Sequence, residues 1–170
     1  MQHRTVAVPI TVDRPRGRIR PVLAAAVSAL HVLALALGLP SVFLRGRALK
    51  GRLDRDGLRR VFAADAVWGT AAAVWLVTGL LRAFAGLDKG TAFYLASHLF
   101  WLKMALFVAI VLLEIRPMVM LMRWRAAVRG GGMPDTSGAR ALYLVSHVEL
   151  ALVVVTVFVA SFMARGFGLR

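Results

Sequence analysis

Hydrophobic positions are grouped along the chain into four long, nearly continuous runs, separated by short segments rich in arginine and glycine. The runs cover residues 22–44, 61–81, 91–113 and 141–163. An α-helix rises about 1.5 Å per residue, so each run is long enough to cross a hydrocarbon core about 30 Å thick. The pattern predicts an all-α integral membrane protein, a four-helix bundle of four transmembrane helices over residues 22–163.

The segments at the two ends of the chain are predicted to lie outside the membrane. Residues 1–21 read as an irregular, arginine-rich tail, because Pro15 and Gly17 disfavour a helix there. The first run is too long for the apolar core of a typical signal peptide, so we expect it to be retained as the first span. Residues 164–170 form a short C-terminal tail. The third run either continues beyond the membrane surface or breaks at Pro117.

Composition supports a membrane protein and excludes several other classes. The chain has 170 residues, of which 59% are hydrophobic, a net charge of +14 and no cysteine. The basic residues lie between the apolar runs, which is typical of membrane proteins with basic loops and gives no folded soluble face for nucleic acid. The absence of cysteine excludes disulfides, thiolate metal sites and cysteine nucleophiles.

The distribution of Lys and Arg predicts the orientation. The loops after the first and third runs carry twelve of these residues, and the tails together with the middle loop carry nine. The positive-inside rule then places both loops in the cytoplasm and both termini outside. We expect a multi-pass protein of the bacterial cytoplasmic (inner) membrane with periplasmic termini.

Ionisable side chains inside the spans are costly and usually functional. Lys103 lies roughly 15 Å from either end of its run, too deep to reach the headgroups, so it needs a partner within the protein. Glu149 matches its depth best and is the first candidate, and Asp65, which lies closer to the membrane surface, is the second. These side chains fall into two layers of similar depth. The outer layer holds His31 and His98, and the middle-to-inner layer holds Lys103, Glu149, His147 and Asp65.

Two histidines at one depth favour a haem over a zinc ion, because zinc needs three or four converging ligands. His31 is the candidate axial ligand and His98 the candidate second one. Gly38 lies two turns from His31 on the same face and leaves room for a flat macrocycle. Lys103 is expected to bind a propionate or an anionic substrate group, with Glu149 as its counter-charge.

Three functions remain compatible with these residues. The first is a haem-b-binding protein that carries electrons or oxidises a hydrophobic substrate, with a porphyrin or a quinone as its partner in the bilayer. The second is a small transporter or accessory subunit with an intramembrane proton or ion path and no haem. The third is a purely structural subunit. A homodimer could form through the small residues Gly69, Ala72 and Ala73.

The order of these elements resembles a known group. The first span, LHVLALALGLPSVFLRGRAL, is followed by a second span ending in VTGLL and a third containing FWLKMALFVAIVLLE. The chain is similar to small bacterial four-helix predicted membrane proteins of unknown function, related to HemJ-type protoporphyrinogen oxidases. The resemblance implies haem b as cofactor, membrane oxidoreductase activity, and functional roles for His31 and Lys103.

Overall fold

Each of the four apolar runs forms a long helix. The computed structural model describes residues 16–168, with side chains described for residues 20–168. The helices are α1 (Arg16–Lys50), α2 (Arg55–Phe84), α3 (Thr91–Ala96), α4 (His98–Arg129) and α5 (Ala139–Ala164). Within the described residues there is no strand, and all the helices except α3 are long and apolar enough to cross a membrane. The predicted fold class is confirmed.

The long helices extend beyond the predicted spans. Residues 16–21 are part of α1, so the prediction of an irregular tail is wrong for them, whereas residues 1–15 lie outside the described residues. Gly17 does not prevent the helix, because one glycine costs only about 1 kcal/mol. α4 continues through Pro117 to Arg129 without the break that was one of the two expectations.

The third predicted span is interrupted at Ser97, whose backbone is extended, with φ −92° and ψ 122°. The spanning helix α4 therefore begins at His98 and not at residue 91. The backbone N–H of His98 donates to the Gly168 carbonyl at 2.9 Å. Because the first N–H groups of a helix have no partner within the helix, a carbonyl from the C-terminal segment caps α4.

The bundle has two chemically different ends. We call the end with the 51–54 and 130–138 loops the basic end, because most exposed Lys and Arg side chains of the described residues lie near it. The opposite, far end holds the 85–90 loop, α3 and the end of α5. α1 packs along α2 and α5, and α4 packs along α5. Side chains bridge α2 and α4, among them Trp75 and Phe107, whose ring centroids lie 6.0 Å apart.

The core consists of three apolar layers stacked along the bundle. The layer at the basic end includes Leu58 and Leu121. The layer at the far end includes Tyr94 and Phe100. A middle layer lies between them and is built from Val42, Trp68, Ile110 and Val153. Polar side chains occupy the two levels between these layers, and these levels form the candidate sites.

The outward faces of the spanning helices carry large apolar side chains. Leu37 on α1, Leu112 on α4 and Phe158 on α5 are each 60% or more exposed. A soluble protein rarely exposes apolar surface so extensively. These faces are suited to contact with lipid, in agreement with the expected bilayer partner.

Candidate functional site

Arg45 is the centre of a buried ion cluster between the basic-end layer and the middle layer. Its guanidinium is completely buried, yet all five of its N–H groups donate hydrogen bonds. Nε donates to the Ser146 hydroxyl at 3.1 Å, and Nη1 donates to Asp65 Oδ1 at 2.9 Å. Glu114 accepts from both Nη1 (2.7 Å) and Nη2 (2.9 Å), and Nη2 also donates to Glu149. One arginine thereby joins all four spanning helices.

Two further side chains complete the polar contacts. Arg125 donates from Nη2 to Asp65 Oδ2 at 2.7 Å and to the Phe62 carbonyl at 3.1 Å. Trp68 Nε1 donates to Glu114 Oε2 at 3.1 Å. The ionisable members, which we call the Arg45 cluster, are two guanidinium groups and three carboxyl groups: Arg45, Arg125, Asp65, Glu114 and Glu149.

Heptad spacing on α1 explains why an arginine is buried here. His31, Gly38 and Arg45 are spaced seven residues apart, and all three are buried. Positions seven residues apart lie on nearly the same face of an α-helix. Arg45 therefore continues the face that α1 turns to the bundle interior, even though it follows the last apolar residue of the predicted span.

The cluster corrects one expectation. The predicted Lys103–Glu149 pair is wrong, because the Glu149 carboxylate binds Arg45. Arg45 and Glu114 are missing from the residues predicted from the sequence, because each directly follows the end of a predicted span. The signal that could have revealed Arg45 is the heptad that begins at His31.

His31 lies on the other side of the middle layer and is held by Thr78. Its Nδ1 is 2.9 Å from the Thr78 hydroxyl, which itself donates to the Val74 carbonyl at 2.6 Å. The hydroxyl has a single hydrogen, so we infer that it accepts from a protonated Nδ1. In this tautomer Nε2 of His31 is unprotonated and has the lone pair that can accept a hydrogen bond or bind a metal.

His31 lines a cavity of about 360 Å³ at the far end of the bundle. Most of the wall is apolar, and all four spanning helices contribute to it. Trp75, Met104 and Phe107 are among the apolar lining residues, and Lys103 and Arg82 bring positive charge. The cavity combines an apolar body with cationic groups, as a site for an amphipathic acid requires.

The 85–90 loop closes one side of this cavity through Asp88. The Arg82 guanidinium and the Tyr94 hydroxyl each donate to Asp88 Oδ2 at 2.7 Å. Burial alone would raise the pKa of Asp88, but these two hydrogen bonds outweigh it and hold the pKa below its usual value. Burial and the bond to Asp88 raise the pKa of the Tyr94 hydroxyl. Asp88 therefore favours its ionised form and accepts both hydrogen bonds through one carboxylate oxygen.

Lys103 contributes a cation without a direct partner among residues 20–168. It is half-buried in the cavity wall, and the charged groups that influence it are Arg82 and Asp88. Those two groups are already bound to each other. A buried ammonium without a paired carboxylate is costly. The position is suited to an acidic group of a ligand.

The other two predicted histidines lie elsewhere. His98 is exposed at the start of α4 and does not line the cavity, so the fold does not bring it together with His31 there. His147 lies on α5 against Gly46, and its Nδ1 is 2.9 Å from the Tyr143 carbonyl. Within the described residues no group of three or more His, Asp or Glu side chains is arranged to hold a metal ion.

The middle apolar layer separates the cavity from the Arg45 cluster. On α1 and α2, Val42 and Trp68 lie between the residues of the two polar levels. On α4, Ile110 lies between Lys103 and Glu114. The two polar levels are therefore distinct sites and not one continuous polar path.

Comparison with known proteins identifies the family to which the chain belongs. Residues 23–168 match the model of a family described as a predicted membrane protein (DUF2214). No curated protein and no solved structure matches the chain. The expected relation to HemJ-type enzymes stays a prediction. Since the matched region covers nearly the whole chain and all four spanning helices, the protein belongs to the DUF2214 family of predicted membrane proteins.

Proposed function

We propose that the cavity binds haem b from the bilayer and that the protein carries electrons or oxidises a hydrophobic substrate. The observation that supports this function is the hydrogen bond between the His31 imidazole and the Thr78 hydroxyl. Nδ1 of His31 is engaged by Thr78, so Nε2 is the nitrogen that would hold the iron. Metal-binding histidines commonly donate their other N–H in this way, which fixes the ring and its tautomer.

The rest of the cavity fits the same ligand class. A porphyrin needs an apolar slot for its ring and cations for its propionates. The apolar wall meets the first need, and Lys103 and Arg82 meet the second. The volume of about 360 Å³ is within the range of small-molecule sites, about 300–1,000 Å³.

Each residue then has a definite part in binding. His31 would hold the iron, Thr78 orients the imidazole, and Lys103 neutralises an acidic group. The middle layer with Val42 and Ile110 keeps water at the basic end away from the site. Haem would supply the change between ferrous and ferric iron that electron transfer requires.

Purified protein tests this assignment through its absorption spectrum. We expect a Soret band and a pyridine-haemochrome signature in the parent protein. His31→Ala should lose haem, and Lys103→Met should lower haem occupancy by about tenfold, the effect of a lost charge-assisted contact. His147→Ala is the matched control, because His147 lies outside the cavity, and it should keep its haem. Haem that is retained in His31→Ala would refute the axial assignment.

His98 can be tested in the same way. Because His98 does not line the cavity, His98→Ala should keep the spectrum of the parent protein. A change to a five-coordinate, high-spin spectrum would instead establish His98 as the sixth ligand.

The alternative function is a proton or ion path without haem, and the buried Arg45 cluster is the observation in its favour. Against it stands the apolar middle layer, which a continuous path would have to cross. Colourless purified protein that increases proton flux into proteoliposomes would favour the path over the haem. The HemJ-type oxidation is tested separately, by adding protoporphyrinogen to haem-loaded protein.

We propose that the membrane is a bacterial cytoplasmic membrane and that the basic end faces the cytoplasm. The support is the concentration of exposed cations at the basic end, which favours the cytoplasmic side. These cations are Arg47, Lys50, Arg52, Arg55, Arg59, Arg60, Arg123, Arg129 and Arg140. An alkaline phosphatase fused after Arg170 should be active, and a fluorescent reporter that folds only in the cytoplasm should stay dark there. The opposite result would invert the orientation.

A homodimer through the α2 surface is the remaining part of the proposal. Gly69 and Ala73 are exposed on that helix, and nothing lies within 4 Å of a Cβ built on Gly69. A large side chain there would keep two helices apart. Gly69→Leu should therefore shift the protein to a monomer in a mass measurement in detergent, and an unchanged mass would remove this surface from the proposal.

A further inference from the structure

Glu114 and Glu149 share one donor inside the Arg45 cluster. Glu114 Oε2 and Glu149 Oε2 both accept from Arg45 Nη2. Because both oxygens bind the same Nη2, the two carboxyl groups are neighbours. Glu149 is completely buried, and its second oxygen, Oε1, has no hydrogen-bond donor among residues 20–168. Two adjacent carboxylates repel each other, and a buried carboxylate oxygen without a donor is costly. The arrangement is therefore unstable unless one of the two groups is neutral.

The charges around the pair also indicate that one of the two carboxyl groups is neutral. The cluster around Glu149 consists of Arg45 from α1, Asp65 from α2, and Glu114 and Arg125 from α4, with the uncharged Ser146 on its own helix. Two arginines face three acids, and all five N–H groups of Arg45 are in use. Among the described residues of the cluster, one negative charge is therefore left without an offsetting cation, and such a charge is costly beside the fully buried Glu149.

A single bound proton accounts for both the excess negative charge and the Glu149 oxygen that lacks a donor. Bound to Glu149, it neutralises the excess charge and turns the orphaned oxygen into a donor toward the neighbouring Glu114. We propose that Glu114 and Glu149 form a proton-binding site that holds one proton at neutral pH. The site is independent of the cavity and of the haem proposal.

The exposure of the two carboxyl groups indicates the route of the proton. The Glu114 side chain is 24% exposed, whereas the Glu149 side chain is completely buried. Glu114 is therefore the group that an incoming proton reaches first, and Glu149 is the group that keeps the proton. Because the cluster lies next to the basic-end layer, the proton comes from that side of the bundle.

The sequence offers a clean probe for this site, because Glu114 and Glu149 are the two glutamates of the chain. Protein labelled with ¹³C at the glutamate side-chain carboxyl carbon reports on this pair alone. At neutral pH we expect two NMR signals, one at the position of a protonated carboxyl and one at that of a carboxylate. Two carboxylate signals in the parent protein would overturn the proposal without any variant.

Three variants test whether Glu114 and Glu149 share one proton. Glu149→Gln and Glu114→Gln each remove one acid, so the remaining glutamate should show a carboxylate signal at the same pH. Asp88→Asn, at the far end, is the control and should keep both signals of the parent protein. A protonated signal that persists in both glutamine variants would show that the proton is not shared, and would refute the site.

Discussion

At the scale of single residues, two cations within the bundle, Arg45 and Lys103, have opposite surroundings. Arg45 donates to four side chains from three other helices. Lys103 has no direct partner among the described residues and lines a cavity. A planar guanidinium with five donors can hold several carboxylates at once, whereas an ammonium is a compact point charge. The arginine is therefore suited to joining helices and the lysine to meeting a ligand.

Arg45→Met should destabilise the bundle by about 3–5 kcal/mol, because it leaves three buried acids with one remaining arginine. Arg47→Met is the matched control, since Arg47 is an exposed neighbour on the same helix, and it should change stability by less than about 0.5 kcal/mol. Unfolding in a denaturing detergent measures both. Equal stability of the two variants would mean that the cluster does not hold the helices together.

Asp88 gives the far end a dependence on pH. Its pKa in the folded protein lies below the usual value of about 4, because the Tyr94 hydroxyl and Arg82 outweigh its burial. The contribution of ionised Asp88 to the stability of the fold is therefore fully present above the usual pKa of an aspartate. It is lost as the pH falls through the lower pKa that Asp88 has in the folded protein. Thermal unfolding followed from about pH 6 to pH 3 should show this loss. Asp88→Asn should remove this contribution, and Tyr94→Phe should weaken it; curves identical to the parent would contradict it.

At the scale of helices, close approach between elements depends on small residues and on caps. Gly46 lies where α1 meets α5, and a Cβ built on it would be 2.9 Å from His147 Cε1. On α2, Gly69 has open space around it. The same residue type thus has a packing role in one helix and none within the fold in another.

Gly46→Ala should destabilise the protein by about 1–2 kcal/mol, because the new methyl group displaces the His147 ring. Gly69→Ala should instead be neutral or stabilise by up to about 1 kcal/mol through helix propensity. A Gly46→Ala, His147→Ala double variant should recover part of the loss, because the ring is no longer there. Thermal unfolding in detergent compares the variants, and no recovery in the double variant would point to another cause.

At the scale of the whole molecule, the layers divide the protein into two functional levels. The Arg45 cluster lies on the side of the basic end, the cavity opens at the far end, and the apolar middle layer separates them. Such a barrier would allow the proposed proton site and the proposed ligand site to keep separate environments. The haem proposal and the proton proposal can therefore succeed or fail separately.

The two ends should lie on opposite faces of the membrane. The chain has no cysteine, so Arg47→Cys and Lys89→Cys each provide one thiol, at the basic end and the far end. In intact cells a thiol reagent that cannot cross the membrane should label the Lys89→Cys variant, and the Arg47→Cys variant should react only after lysis. Labelling of both variants from the same side would contradict the four-span topology.

The hydrophobic pattern alone determined the number of spanning helices and the membrane as their solvent. Burial of a helix in lipid depends on the average composition of about 20 successive residues, which a single sequence displays directly. The break at Ser97 could not be predicted in this way, because it depends on a carbonyl of Gly168 from the other end of the chain. The sequence also singled out His31 and Lys103 as intramembrane polar residues, and both line the cavity.

Only the tertiary structure decided which charges meet. Depth along a helix made Lys103 the expected partner of Glu149, but depth does not specify which face of each helix turns inward. The long side chain of Arg45 reaches from the end of its apolar run to acids on three other helices. Hydropathy reports a property of each helix by itself, whereas an ion pair depends on the rotation and packing of several helices together, and this is why the Arg45 cluster emerged only from the fold.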